Sequence, residues 1–135
     1  MLSRYRTGQR YGVHVDNVWQ SSMRIDIACT LFLSNTASYD GGDLRLHDHA
    51  GVQDFKLAAG SLLLYPASAL HEMCEVKSGE RLAAVRWIDS HIKNHERRSV
   101  LFDLNLLRQR LHQSGDIAGY QTLSRIFGVP ARQSH

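Results

Sequence analysis

The sequence predicts an all-β sandwich or barrel that is followed by a helical C-terminal segment. Up to about residue 88, short apolar runs alternate with turn residues at a spacing of roughly 8 to 12 residues, which is typical of sandwiches and barrels. After residue 89 the chain is rich in charged residues, and apolar residues recur at the helical spacing of three and four. We therefore expect a β domain over residues 1–90 and a helical extension over residues 91–135.

Eight predicted strands share β-branched, leucine or aromatic residues in apolar or alternating runs. They are residues 1–7, 9–16, 25–34, 44–47, 52–57, 61–65, 71–76 and 81–88. Residues 25–34 are strongly apolar and indicate a buried strand, whereas residues 44–47 alternate with a period of two and indicate a strand with one side in water. Pro66 ends the strand before it, because proline has no N–H to donate to a neighbouring strand.

Turn and loop residues separate these strands. Glycines that tolerate positive φ, with other turn-forming residues, mark the predicted turns at Gly8, 39–43, 50–51, 58–60 and 77–80. The segment 17–24 is polar, and we expect a loop there.

The helical segment is predicted to contain two helices. The first covers residues 90–112 and places Arg108 and Arg110 on its solvent side. Its apolar stripe consists of Val100, Leu104, Leu107 and Leu111. Asp116 can cap the second helix, whose apolar residues are Tyr120, Leu123, Ile126 and Phe127. These amphipathic helices leave open a homo-oligomer that forms through them.

Composition indicates a globular protein without a nucleic-acid or membrane partner. Hydrophobic residues make up 43% of the chain and the net charge is only +3. The one compact basic cluster, residues 93–98, lacks the density and aromatic residues expected of a nucleic-acid site. No apolar run reaches the roughly 18 residues of a membrane-spanning helix. Cys29 and Cys74 form no CxxC pattern and no signal peptide is recognisable, so we expect two reduced thiols and a cytoplasmic location.

His14 and Asp16 are the first candidate metal ligands. On an extended strand, residues i and i+2 project to the same face, about 6 to 7 Å apart. His71 follows 55 residues after Asp16, on a later strand that can lie beside the His14 strand in a rolled sheet. Two histidines and one carboxylate on one side of an ion, with positions left open, suit non-haem Fe(II). An isolated His-x-Asp is more often a hydrogen-bonded pair, so the metal interpretation depends on the third ligand.

Arg81 lies ten residues after His71 and is the candidate anion-binding residue. Strand alternation places Arg81, Ala83, Val85 and Trp87 on one face, and Arg86 on the other. The small Ala83 leaves room for a planar carboxylate, which a guanidinium can hold through two parallel hydrogen bonds. A dicarboxylate anchored there is able to chelate iron with its other end. We interpret Trp87 as a core residue.

These residues belong to five motifs that follow one another between residue 5 and about residue 90. The motifs are Tyr5-x-x-Gly8-Gln9-x-Tyr11-x-x-His14-x-Asp16, Tyr39-Asp40-Gly41-Gly42-x-Leu44, Leu64-Tyr65-Pro66-x-Ser68-x-x-His71, Gly79-x-Arg81 and Trp87-Ile88-x-Ser90. In these motifs the sequence resembles the Fe(II)/2-oxoglutarate-dependent dioxygenases, and within them the PKHD-type, prolyl 4-hydroxylase-like hydroxylases. The helical tail resembles the C-terminal extension of that family.

The resemblance implies a mainly β fold, with a double-stranded β-helix (jelly-roll) core and a C-terminal helical extension. It implies that His14, Asp16 and His71 hold Fe(2+) and that Arg81 binds the distal carboxylate of 2-oxoglutarate. It further implies that Tyr5 contacts this co-substrate, although a barrel-filling aromatic is the other interpretation of Tyr5.

The reaction implied by the resemblance is hydroxylation of a substrate by O2, with oxidative decarboxylation of 2-oxoglutarate to succinate and CO2. The family also depends on L-ascorbate, which returns oxidised iron to the ferrous state. The substrate itself is not readable from the sequence, because variable loops, here 17–24 and 35–40, form the substrate groove in such barrels.

Two alternatives stay open at this point. Gly41, His47-x-His49, Gln53 and Gly60 have the spacing of the first cupin motif, although Gln53 replaces the carboxylate that this motif needs. The second alternative is a truncated, inactive or binding-only jelly-roll, because PKHD-type proteins carry a substantial portion before the residue matching Tyr5. A chain that is short at the N-terminus would expose apolar sheet surface, so we expect marginal stability and self-association.

Overall fold

A computed structural model of the chain describes residues 1–16, 19–20 and 23–133. Within these residues the strands are β1 (Leu2–Arg6), β2 (Tyr11–His14), β3 (Trp19–Gln20), β4 (Met23–Arg24), β5 (Ile27–Phe32), β6 (Tyr39–Gly41), β7 (Leu44–Asp48), β8 (Gly51–Phe55), β9 (Leu62–Pro66), β10 (Leu70–Met73) and β11 (Val76–Ile88). The helices are a 3₁₀ helix (Thr36–Ser38), α1 (His95–Gln113) and α2 (Ile117–Gln133). The chain divides into two compact units, Met1–Ser90 and His91–His135.

Two antiparallel sheets form the jelly-roll of the first unit. One has the strand order β1-β11-β5-β9, with β6 also pairing with β11, and the other has the order β2-β10-β7-β8. The buried core draws on both sheets, because Ala28, Phe32 and Tyr65 come from the first and Leu44 comes from the second. The predicted mainly β jelly-roll is confirmed.

The predicted buried strand, β5, is central in its sheet. It pairs with β11 on one side and with β9 on the other. Ala28, Thr30 and Phe32, which alternate along β5, are all almost fully buried. A strand between two neighbours has no free edge, which is why an apolar, β-favouring run suits this place.

The predicted turn at residues 77–80 is wrong, because these residues belong to the long strand β11. Val76, Ser78 and Gly79 pair with β6, and the register shifts between Val76 and Ser78. Gly79 has a φ of 77°, so the strand accommodates its irregular backbone at a residue without a Cβ. The Lys-Ser-Gly-Glu composition resembles a turn, but pairing with a distant segment keeps it extended.

The predicted loop at 17–24 is also wrong in part. Trp19–Gln20 pairs with Met23–Arg24 as a two-stranded antiparallel ribbon. Residues 17, 18, 21 and 22 lie outside the described residues. Polar composition suggested a loop, but two residues on each side are enough to form this short ladder.

Replacement of Gly41 by alanine is expected to lower the free energy of unfolding by about 1–3 kcal/mol more than the same change at Gly60. Both glycines have positive φ, 70° at Gly41 and 90° at Gly60, so an alanine at either position adopts a backbone conformation that is unfavourable for it. A Cβ at Gly41 would lie 2.2 Å from the carbonyl oxygen of Glu75, whereas a Cβ at Gly60 meets nothing within 4 Å. Urea denaturation of both variants measures the difference, and equal losses would contradict the close approach of β6.

The two helices of the second unit begin after side-chain caps. Asn94 accepts a hydrogen bond from the Arg97 N–H at 2.9 Å, so α1 begins at His95 and not at residue 90. The predicted cap of α2 is confirmed, because Asp116 accepts a bond from the Gly119 N–H at 2.9 Å. No helix within the described part of the chain has the length and apolarity to cross a membrane.

The predicted apolar stripe of α1 is wrong at two of its four positions. Val100 and Leu107 are 57% and 46% exposed, whereas Leu104 and Leu111 are partly covered. Arg108, expected on the solvent side, lies with its guanidinium carbon 5.7 Å from the ring centre of Tyr120 and 4.6 Å from that of Phe127. Arg108 therefore lies on the side of α1 that contacts α2, where it makes cation–π contacts, and not on the solvent side.

Candidate metal centre

Strand pairing brings the two predicted histidine ligands together. β2 and β10 are antiparallel neighbours, and His14 and His71 are direct partners in their register. The centres of the two imidazole rings are 4.2 Å apart. Asp16 follows at the end of β2, and its N–H donates to the carbonyl oxygen of Ala67 at 3.2 Å. This bond fixes the position of the Asp16 backbone, so that the carboxylate of Asp16 faces the two rings.

The ligating atoms of the three side chains face one another. Asp16 Oδ1 lies 3.8 Å from His14 Nε2 and 3.6 Å from His71 Nε2. One ligand atom from each residue lies within 4.8 Å of the others. Bonds of about 2.0–2.2 Å to a shared cation would place such atoms roughly 3–3.5 Å apart, close to the first two distances. Among the described residues, no other group of three His, Cys, Asp or Glu side chains brings its ligand atoms so close together.

Backbone carbonyls orient both imidazoles. His14 Nδ1 lies 2.7 Å from the carbonyl oxygen of Gly12, and His71 Nδ1 lies 2.9 Å from that of Ala69. A carbonyl oxygen only accepts hydrogen bonds, so each Nδ1 carries the proton and donates it. Each ring therefore directs its other nitrogen, Nε2, toward Asp16, as metal-binding histidines with a second hydrogen-bond partner do.

Trp87 contributes to this cluster in a way that the sequence interpretation missed. Its indole Nε1–H donates to Asp16 Oδ2 at 3.0 Å. Trp87 also packs against the core cluster, as the sequence suggested. Because 71 residues separate Trp87 from Asp16, no local pattern in the sequence indicates their contact.

The cluster opens into a cavity of about 480 Å³ between the strands. His14, Asp16 and His71 line this cavity together with Arg81 and Tyr5. All five residues that the sequence analysis predicted for the site therefore line one cavity. The cavity is large enough for a small organic acid beside a metal ion.

Arg81 is the most deeply buried charged residue of this cavity. Its side chain points inward from β11 and is 1% exposed, whereas Arg86 on the alternate face is exposed. The predicted alternation of β11 is therefore confirmed. The Arg81 guanidinium carbon lies 5.3 Å from the ring centre of Phe32 and 6.0 Å from that of Tyr5.

The donors of Arg81 are incompletely used. Its Nε and Nη2 atoms are buried and have no hydrogen-bond partner among the described residues. Burial lowers the pKa of Arg81, and the neighbouring phenols of Tyr39, Tyr5 and Tyr65 partly offset that effect. Buried donors without acceptors are costly, so this arrangement has the chemistry of an anion-binding site.

Three further cavity features were not recognised in the sequence. A Cβ at Gly42 would lie 3.3 Å from Arg81 Cδ, so this glycine leaves the space that the arginine occupies. Thr30 and Tyr65 also line the cavity. Burial raises the pKa of Tyr65, which keeps its hydroxyl neutral as a hydrogen-bonding group. The Gly41-Gly42 pair was visible in the sequence, but only as a turn signal.

The residues of the cupin interpretation lie elsewhere. His47 Nε2 lies 3.1 Å from Glu72 Oε1, and His49 is exposed in the turn after β7. His47 neighbours Leu46, which is the register partner of His71, so the His47 side chain projects from the opposite face of the sheet. The geometry therefore brings the jelly-roll ligands together and leaves the cupin pair apart.

The chain is similar to proteins of a known family. Residues 1–89 match the family described as the 2OG-Fe(II) oxygenase superfamily. A PKHD-type hydroxylase of Parvibaculum lavamentivorans is 45% identical over 133 residues, which cover 98% of this chain and 61% of the relative. A PKHD-type hydroxylase of Synechococcus sp. is 42% identical and is covered to 59%. The chain thus spans about six-tenths of the length of these two relatives.

Two solved structures have a fold similar to that of this chain. A prolyl-4-hydroxylase of Pseudomonas putida superposes with a TM-score of 0.56 at 26% identity, covering 65% of this chain and 50% of that one. An oxidoreductase of the 2OG-Fe(II) oxygenase family from Burkholderia pseudomallei has the same TM-score at 21% identity, covering 64% and 40%. The second likeness supports the fold alone.

Proposed function

Since the chain belongs to the 2OG-Fe(II) oxygenase superfamily, we propose that it acts as an Fe(II)- and 2-oxoglutarate-dependent dioxygenase that hydroxylates a substrate. In this reaction 2-oxoglutarate would lose CO2 and become succinate, which takes up one oxygen atom of O2, and the other oxygen atom would enter the substrate as a hydroxyl group. The observation on which this proposal rests is one cavity that holds a two-histidine, one-carboxylate cluster beside a buried arginine with unused donors. The similarity to PKHD-type hydroxylases supports it.

His14, Asp16 and His71 are the residues that would hold Fe(II). Two neutral imidazole nitrogens and one carboxylate oxygen suit this ion, and both Nε2 atoms are already oriented by bonds to backbone carbonyls. Fe(II), when bound, supplies the O2 activation that couples decarboxylation of 2-oxoglutarate to hydroxylation. The protein supplies ligands on one side and leaves the other side to the cavity.

Arg81 would anchor the distal carboxylate of 2-oxoglutarate. Nε and Nη2, the two nitrogens without partners, form one edge of the guanidinium. An edge of this kind donates two parallel hydrogen bonds to the two oxygens of a carboxylate. Tyr5 lies beside the guanidinium and is the proposed second contact of the co-substrate. Burial of the Arg81 guanidinium limits its contact with water and strengthens the charge-assisted bonds.

An anaerobic titration tests the metal and the co-substrate together. We expect the visible charge-transfer absorption of a ferrous 2-oxo acid chelate to appear when both Fe(II) and 2-oxoglutarate are present, and not with either one alone. Succinate, which has no 2-oxo group, is the matched control ligand. A folded protein that binds Fe(II) but develops no such absorption with 2-oxoglutarate would contradict the proposal and favour a binding-only jelly-roll.

Three further properties belong to this proposal. L-ascorbate dependence is proposed on the family resemblance. A homo-oligomer through the C-terminal helices is proposed because Val100 and Leu107, seven residues apart on one face of α1, are exposed apolar residues. A reducing, cytoplasmic environment is proposed because Cys29 and Cys74 are free thiols, and burial raises the pKa of both.

A further inference from the structure

The Asp16 carboxylate divides its two oxygens between different partners. Oδ1 faces the two imidazoles at 3.8 Å and 3.6 Å, whereas Oδ2 accepts the Trp87 indole N–H at 3.0 Å. We propose that Trp87 is a positioning residue that makes Asp16 a one-oxygen ligand of the metal. This inference rests on the proposed function, because it concerns the same ion.

The hydrogen bond limits what the carboxylate is able to do. A free carboxylate binds a cation through one oxygen or through both. With Oδ2 held by an N–H donor, rotation of the carboxylate away from its present orientation would lengthen and weaken that bond. The Asp16 side chain is 13% exposed, so water offers a poor substitute for the indole. The indole therefore favours coordination through Oδ1 alone.

Trp87 has a fixed backbone from which to act. It pairs with Ala28 in the register between β11 and β5, and its ring packs against the core cluster. Directly after it, Ile88 accepts a bond from the Asp26 N–H at 2.9 Å. The Ser90 N–H then donates to Asp26 Oδ2 at 2.8 Å. These bonds tie the end of β11 to the start of β5 and hold the indole in place.

The indole also suits this role because of its chemistry. Indole N–H only donates and does not titrate at ordinary pH, so the bond to Asp16 keeps the same direction over the working range. Asp16 and the two histidines would then hold the ion through three protein atoms and leave its side toward the cavity to the co-substrate.

The test replaces Trp87 by phenylalanine, which keeps an aromatic ring but has no donor. We expect the Kd for Mn(II), measured by electron paramagnetic resonance, to rise roughly 10- to 100-fold, the usual effect of losing a partner of a metal ligand. Phe55→Leu is the matched control, because Phe55 packs against the same core cluster without a bond to Asp16. Its Mn(II) affinity should stay within about twofold of the wild type, even if its melting temperature falls.

A second measurement keeps Trp87 and its bond to Asp16 intact, so that it does not depend on the folding of the Trp87→Phe variant. The chain has two tryptophans, and a Trp19→Phe protein leaves Trp87 as the sole source of an indole N–H signal. We expect that signal to be protected from solvent exchange and to shift when Zn(II) is added. A signal that neither shifts nor is protected would overturn the inference, as would an unchanged Mn(II) Kd in Trp87→Phe. Wild-type protein that binds no metal would instead reject the proposed function itself.

Discussion

Alanine at any one of His14, Asp16 or His71 is expected to abolish iron retention and the uncoupled formation of succinate from 2-oxoglutarate. Each variant leaves two ligands on one side of the ion, and the described residues that line the cavity include no other His, Cys, Asp or Glu to replace the lost ligand. Loss of a direct ligand should exceed the roughly 10- to 100-fold effect of losing a second hydrogen-bond partner. Iron bound per protein after desalting, and succinate measured by NMR, check the two expectations separately.

His47→Ala is the matched control for these variants. His47 is also a partly exposed strand histidine with a carboxylate partner, Glu72, but it projects from the other face of its sheet. We expect this variant to retain iron and to form succinate at the wild-type rate. If His47→Ala lost iron while His14→Ala kept it, the cupin assignment would replace the present one.

The metal cluster was predictable because most of its geometry is local. His14 and Asp16 are two residues apart on an extended segment, so their shared face follows from strand geometry. The addition of His71 needed only the expectation that two strands pair, and β2 and β10 do so with His14 opposite His71. Arg81 was likewise placed by the alternation of a single strand, β11.

Features that depend on two distant segments were not predictable from local patterns. The predicted turn at residues 77–80 is part of strand β11, because this part of β11 pairs with Tyr39–Gly41. The bond between Trp87 and Asp16 joins residues far apart in the chain, and Trp87 alone looks like any core aromatic. On α1, Arg108 contacts Tyr120 and Phe127, although the spacing of the leucines predicted it on the solvent side. In each case a partner from another element decided the outcome.

Replacement of Arg81 by methionine is expected to weaken 2-oxoglutarate binding by roughly 30- to 1,000-fold, which corresponds to about 2–4 kcal/mol for a lost bidentate, charge-assisted pair. Methionine keeps much of the volume and removes both donors. Lysine should not rescue the site, because an ammonium group lacks the planar edge that Nε and Nη2 provide. The 2-oxoglutarate dependence of the charge-transfer absorption gives the affinity of each variant.

For Arg81→Met we expect a loss of co-substrate binding but no loss of stability. This difference separates a binding role of Arg81 from a structural one. Nε and Nη2 of the buried Arg81 have no partner among the described residues, so a methionine removes the cost of burying the charge without breaking a bond between the protein and these two atoms. We therefore expect Arg81→Met to melt at the wild-type temperature or above it while co-substrate binding is lost. Arg86→Met, on the exposed face of β11, should change neither quantity. A larger binding defect in Arg86→Met than in Arg81→Met would mean that the face of β11 toward the cavity is wrongly assigned.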